Sequence, residues 1–151
     1  EPKDHEKLEE VFGWLIGEWE AGGDEGPLGK WHMTFTFSWD IEGTVFVWRN
    51  DFAAENGSFT AETRHYWDYA DERIKNSTFF GWGGGPRQGE LLESGENKVV
   101  WSSKQVRNDA PIVQTEIHFS LQDDGTLLFL HKRILDDGSK RENWRFELKK
   151  K

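Results

Sequence analysis

The sequence predicts an all-β fold: about ten antiparallel strands in up-and-down order, closed into a barrel, with a short helix in front. Three observations carry this. From residue 18 onward apolar residues recur every second position. The connectors between these runs are short and rich in Asn-Gly and Asp-Gly. Helical periodicity is confined to the first sixteen residues.

In the opening segment Leu8, Val11, Phe12 and Leu15 stand at i, i+3, i+4 and i+7, with Ile16 alongside, so a helix over about 4–16 presents one apolar stripe. Asp4 suits the N-cap, Glu6 the first turn and Gly17 the stop. Gly13 weakens the middle by about 1 kcal/mol relative to Ala.

The period then changes to two. A short strand is expected at 18–22. In 30–39, Trp31, Met33, Phe35, Phe37 and Trp39 point one way and His32, Thr34, Thr36 and Ser38 the other, as successive strand side chains do. Similar runs follow at about 44–52, 58–68, 73–82, 89–94, 98–106, 112–121, 126–135 and 140–149. The turns Glu55-Asn56-Gly57, Asp123-Asp124-Gly125 and Asp136-Asp137-Gly138 supply the positive φ of tight hairpins. Such short links join antiparallel neighbours and leave no room for helical crossovers. Pro27, Pro86 and Pro111 are expected between strands, and Gly83-Gly84-Gly85-Pro86 is the one loose loop. An open meander of this length would leave two unpaired edges and an exposed aromatic face. Closure removes both, so a barrel is favoured over a sandwich.

Composition bounds the function. The 151 residues suit a single domain spanning 1–151. With 19 basic and 28 acidic side chains the formal charge is −9, which disfavours a nucleic-acid partner or an anionic membrane surface. No apolar run approaches the ~18 residues of a membrane-spanning helix, so no membrane insertion is expected. There is no cysteine, hence no disulfide and no thiolate chemistry. Neither His-x-His nor His-Glu-x-x-His occurs, so no dedicated metal site is expected. A nucleophile elbow and a phosphate-cradling glycine loop are likewise missing, and no catalytic residue is assigned. Lys149-Lys150-Lys151 reads as a solvated tail.

A ligand site in a barrel is made by the few polar groups on its inner face. Alternation puts Phe59, Ala61, Thr63, His65 and Trp67 inside on one run, and Ile74, Asn76, Thr78, Phe80 and Trp82 on the next. Val99, Trp101, Ser103 and Gln105 follow, then Val113, Thr115, Ile117, Phe119 and Leu121. In 126–135 both faces are apolar, and the set Leu127, Phe129, His131, Arg133 and Leu135 is taken as inward. The candidate ligand-binding residues are therefore His65, Asn76, Thr78, Trp82, Trp101, Gln105, His131 and Arg133. His65 can orient a ligand, act as acid or base, or sit in the wall satisfied by Thr63 or Asn76.

The segment His5-Glu6-Lys7-Leu8 followed by Gly17-Glu18-Trp19 resembles the opening of calycin barrels, the lipocalin-like proteins, and within them the uncharacterised bacterial DUF1579 family. The sharp likeness covers about fifteen residues; the rest matches in pattern. The resemblance implies a barrel that buries Trp19 at its closed end, with Arg145 or Arg133 stacked over the indole in a structural role. It implies no established activity. It leads one to expect a binding module holding a small apolar or amphipathic molecule, with a homodimer left open. Two alternatives remain: an isomerase-, cyclase- or hydratase-type enzyme using an interior His, and a haem-binding barrel with His65 or His131 as ligand. A barrel filled solid by aromatics is the third outcome. The family likeness and the start at Glu1 lean towards an exported or periplasmic bacterial protein.

Overall fold

The computed structural model of the chain describes residues 3–107 and 110–151. Helix α1 (Lys3–Phe12) is followed by a 3-10 turn (Gly13–Leu15), so the helix stops short of the expected 16. Gly13 ends it, Ile16 N–H closes the turn on the Gly13 carbonyl at 3.4 Å, and Gly17, at φ 130°, swings the chain into the barrel. Ten strands follow: β1 (Gly17–Gly23), β2 (Trp31–Asp40), β3 (Val45–Ala54), β4 (Gly57–Asp68), β5 (Arg73–Phe80), β6 (Arg87–Gly95), β7 (Lys98–Arg107), β8 (Ala110–Leu121), β9 (Leu127–Ile134) and β10 (Lys140–Lys150). Each pairs antiparallel with the next, and β1 pairs with β10 to close the ring. The expected up-and-down barrel is the fold.

Most strand boundaries shift by one or two residues from the sequence reading, and three of the shifts matter here. Trp82 lies in the turn after β5. β6 starts at Arg87, two residues before the expected 89. Pro111 lies inside β8, but where the β7–β8 register is irregular and pairing with β9 has not begun, so its missing N–H breaks no ladder.

The alternation expected of the apolar faces is the alternation observed. Phe35, Phe37, Phe46, Trp48, Trp101, Phe119 and Phe129 are buried together. Their rings meet edge-on or stacked: Phe35–Phe129 at 5.2 Å, Phe37–Phe119 at 5.3 Å and Trp48–Trp101 at 5.8 Å. Leu127 and Phe129 are in this core, so the chosen face of β9 points inward. The outer wall carries the charge. Arg64 reaches Asp40 at 2.8 Å and Glu62 at 2.9 Å, Arg49 reaches Asp51 at 3.0 Å, and Arg73 reaches Glu90 at 2.8 Å. Their guanidinium partners hold the Asp40 and Asp51 carboxyls below the ordinary range.

The two ends of the barrel differ. Helix α1 packs on β3 and β4 at one end and drives Phe12, fully buried, between Phe46 (4.4 Å, stacked) and His65 (4.6 Å). Trp19 is buried at the same end and donates from Nε1 to the Leu15 carbonyl at 3.0 Å. The cation over its ring is Lys150, with Nζ 5.3 Å from the centroid, not Arg145 or Arg133. The register explains the correction. Trp19 pairs with Lys150 across the β1–β10 seam, whereas Arg145 is opposite Leu130 and Arg133 opposite Thr115 and Arg141, both farther towards the other end. Lys149 and Lys150 thus belong to a strand and are not a free tail.

Candidate functional site

The end opposite the helix is hollow. A cavity of about 660 Å³ opens there. This lies within the range of roughly 300–1,000 Å³ usual for small-molecule sites. The loop joining β1 to β2 and the mouth-side ends of β2–β6 and β8–β10 contribute to its wall. The apolar part of the lining includes Trp31, Phe52, Phe80 and Phe146. Thr63 and Thr78 face each other across β4 and β5 with hydroxyls 2.7 Å apart, both buried, and they line the side nearer the plug.

Four polar atoms on cavity-lining residues are buried without a hydrogen-bond partner among the described residues: Trp48 Nε1, Asn50 Oδ1, Arg87 Nε and His131 Nδ1. Buried donors and acceptors are nearly always satisfied, and leaving one unmade costs about 1–3 kcal/mol. As many again, on His65, Asn76 and Trp101, lie away from the cavity, so it is the open volume beside Asn50, Arg87 and His131 that marks this end as the candidate site. Arg87 opens β6, opposite Thr78, with its guanidinium carbon 4.8 Å from the Phe80 centroid. Burial pushes its pKa below the ordinary guanidinium value. His131 is likewise pushed below its ordinary value, first by burial and then by the charge of Arg87.

The structure brings only some of the expected site residues together. Thr78, Trp82 and His131 line the cavity. His65, Asn76, Trp101, Gln105 and Arg133 do not. His65 is fully buried beneath the helix, with Trp101 at 4.5 Å, Phe12 at 4.6 Å and Phe46 at 5.8 Å. Neither of its nitrogens has a partner among the described residues, so Thr63 and Asn76 do not satisfy it. Thr63 is engaged with Thr78, and Asn76 Nδ2 donates to the Ser102 carbonyl at 3.3 Å. Burial pushes the His65 pKa down to about 3. An imidazole so enclosed has no face free for a haem iron or a substrate proton. Trp101 is wholly buried core. Gln105 Nε2 donates to the Gly84 carbonyl at 3.4 Å, tethering the glycine loop, and Arg133 is exposed. Arg145 lines the cavity, where its Nη1 lies 3.5 Å from Glu142.

Sequence reasoning missed Trp48, Asn50 and Arg87. The first two were visible in the alternation Phe46, Trp48, Asn50, Phe52. Arg87 had no such signal, because Gln88-Gly89-Glu90 breaks the pattern beside it.

A second, more open depression of about 590 Å³ lies at His32, Asp51, Thr60 and Trp82. Its charged groups are partnered: His32 with Glu20, and Asp51 with Arg49 and Thr60. Among the described residues no three His, Asp or Glu converge as a metal site, and no helix is long and apolar enough to cross a membrane. Fold and site together describe a closed barrel, packed at one end and hollow at the other. No family model matches the chain, and no curated protein is significantly similar to it in sequence.

Proposed function

We propose that this barrel is a binding module that holds a small, mostly apolar molecule in its mouth cavity. The observation that carries the reading is an aromatic-walled cavity of about 660 Å³ at the end opposite the helix, with the polar side chains of Asn50, Arg87 and His131 on its lining. The aromatic lining supplies apolar contact, and the polar side chains among the lining residues orient the occupant. Binding is favoured over turnover because His65 is sealed off, and the charged group acting on His131 is a guanidinium, which neither accepts nor readily gives a proton. Kinship with calycin barrels belongs to the same proposal. Its support is the buried first-strand Trp19 under a short helix, with a late-strand cation over the ring.

Titration with N-phenyl-1-naphthylamine, a neutral dye that brightens in apolar surroundings, tests the reading. One saturable site of micromolar affinity is expected, weakened at least tenfold by Phe52→Arg, which places a charge on the cavity wall. No saturable binding to the wild type, or binding indifferent to Phe52→Arg in a folded variant, overturns it.

A further inference from the structure

We infer that the barrel carries a second binding site, on its outer wall, and that this site takes a neutral polyhydroxylated ligand: a run of sugar rings laid across β2–β5 and stacked on Trp82. It works whatever the mouth cavity holds, although Phe52, Phe59 and Trp82 touch both spaces.

Strand register builds the site. Outward positions on neighbouring strands line up in rows across the wall. One row runs Thr34, Asp51 and Thr60, then Gly81, whose N–H reaches the Thr60 carbonyl at 2.7 Å. The row nearer the mouth is His32, Ala53 and Ser58. Short side chains at the centre, and none on Gly81, leave the open depression of about 590 Å³, with His32 and Trp82 also on its lining. Gly81 is needed there, because a Cβ would fall 3.1 Å from the Thr60 carbonyl oxygen. From β2 to the end of β5 the wall runs about 14 Å at ~4.8 Å per strand spacing, which is room for a short run of sugar rings.

Trp82 is the apolar half of the site. Phe80 stacks on it at 4.5 Å and Phe59 meets it edge-on at 5.5 Å, yet the residue is 63% exposed, so the indole is oriented and still available. A sugar ring presents C–H groups on its face and hydroxyls at its edge, and an indole receives the former. The polar half receives the latter. Asp51 accepts from Arg49 Nε at 3.0 Å and from Thr60 Oγ1 at 3.0 Å. A carboxylate has about four acceptor positions, so Asp51 is held in place with capacity left for ligand hydroxyls, and such charge-assisted bonds are the strong kind. Ser58 and Thr34 add hydroxyls that donate or accept as the ligand requires. Charge sets the class. No Lys or Arg is on the lining, Asp51 is answered by Arg49, and His32 lies 3.3 Å from Glu20, so neither an anion nor a cation is called for. A peptide is disfavoured too, because β2 and β3 are paired on both sides through these rows and offer no main-chain edge at the centre of the site.

Affinity electrophoresis tests the site. The formal charge of −9 carries the chain into a native gel, cast with or without hydroxyethylcellulose, laminarin, glucomannan or soluble starch, all neutral polysaccharides. At least one is expected to retard the wild type relative to serum albumin. Trp82→Ala should weaken that retardation about tenfold or more, read from mobility against polysaccharide concentration. Ala53→Arg, which fills the depression from an exposed position, should abolish it. Ala53 is not on the cavity wall, so the same variant should bind N-phenyl-1-naphthylamine as the wild type does. No retardation by any of the polysaccharides, or retardation that survives either substitution in a folded variant, overturns the sugar site and leaves the mouth cavity untouched. Loss of dye binding in a folded Ala53→Arg variant would show that the two sites are not separate, and overturns it as well.

Discussion

His65 makes stability depend on pH in a calculable way. In the unfolded chain its imidazole takes a proton near 6.5, and in the barrel burial pushes this down to about 3. Between those values the unfolded state binds more protons than the folded one, so stability is full above 6.5 and is lost progressively as pH falls towards 3. At ~1.36 kcal/mol per tenfold, the whole gap is worth roughly 5 kcal/mol, of which about 2 kcal/mol is lost by about pH 5. His65→Leu removes the titration. It also removes two unpartnered buried nitrogens, so the variant should stand within about 1 kcal/mol of wild type at about pH 7.5. Urea unfolding followed by tryptophan fluorescence at about pH 7.5, 6 and 5 measures both. The wild type should fall by about 2 kcal/mol more than the variant over that range. The window stops above the region where the salt-bridged Asp40 and Asp51 take protons. Parallel profiles for the two proteins would refute the claim that His65 is sealed from water.

Phe12→Ala should cost about 3–5 kcal/mol, because it empties a fully buried site between Phe46 and His65. Letting water reach the imidazole should also shrink the acid-dependent loss just described, which the same urea series reads. A loss under about 1 kcal/mol would show that the helix is not a plug. At the Thr63–Thr78 pair, each single change to Val strands one buried hydroxyl and should cost about 1–3 kcal/mol, while the double variant should cost clearly less than the sum. Additive losses in thermal unfolding would mean that the two hydroxyls do not share a hydrogen bond.

Much of the fold was legible in the residues because a strand has a period of two and one buried face. That rule set the inward side of β2, β4, β5, β7 and β9, including the ambiguous Leu127–Phe129–His131 face. What alternation does not carry is depth. His65 and His131 both point inward, yet one lies under the helix and the other at the cavity, and only the position of each along the barrel axis separates them. Asn76 and Thr78 are two residues apart on one face and fall on opposite sides of the same divide. The cation over Trp19 was misplaced for a related reason. Which late-strand residue faces the indole depends on how β10 meets β1, and no local pattern encodes a pairing between ends so distant in the chain. Arg87 was invisible because β6 alternates poorly. Gly89 there admits the close approach of β7: a Cβ at that position would fall 1.8 Å from the Ser102 carbonyl oxygen.

The β1–β10 seam has a consequence for how the molecule is made. Nine of the ten strand pairings join neighbours in sequence and can zip as hairpins, each with a small loop-closure cost. The tenth joins Trp19 and Glu20 to Lys150 and Lys149, with Lys151 N–H reaching the Glu18 carbonyl at 3.0 Å. Until the last strand arrives, β1 remains a bare edge and the aromatic interior stands open to solvent, a window in which self-association competes with closure. During synthesis that window lasts until nearly all of these residues have left the ribosome, so truncations that remove β10 should yield aggregates rather than smaller barrels.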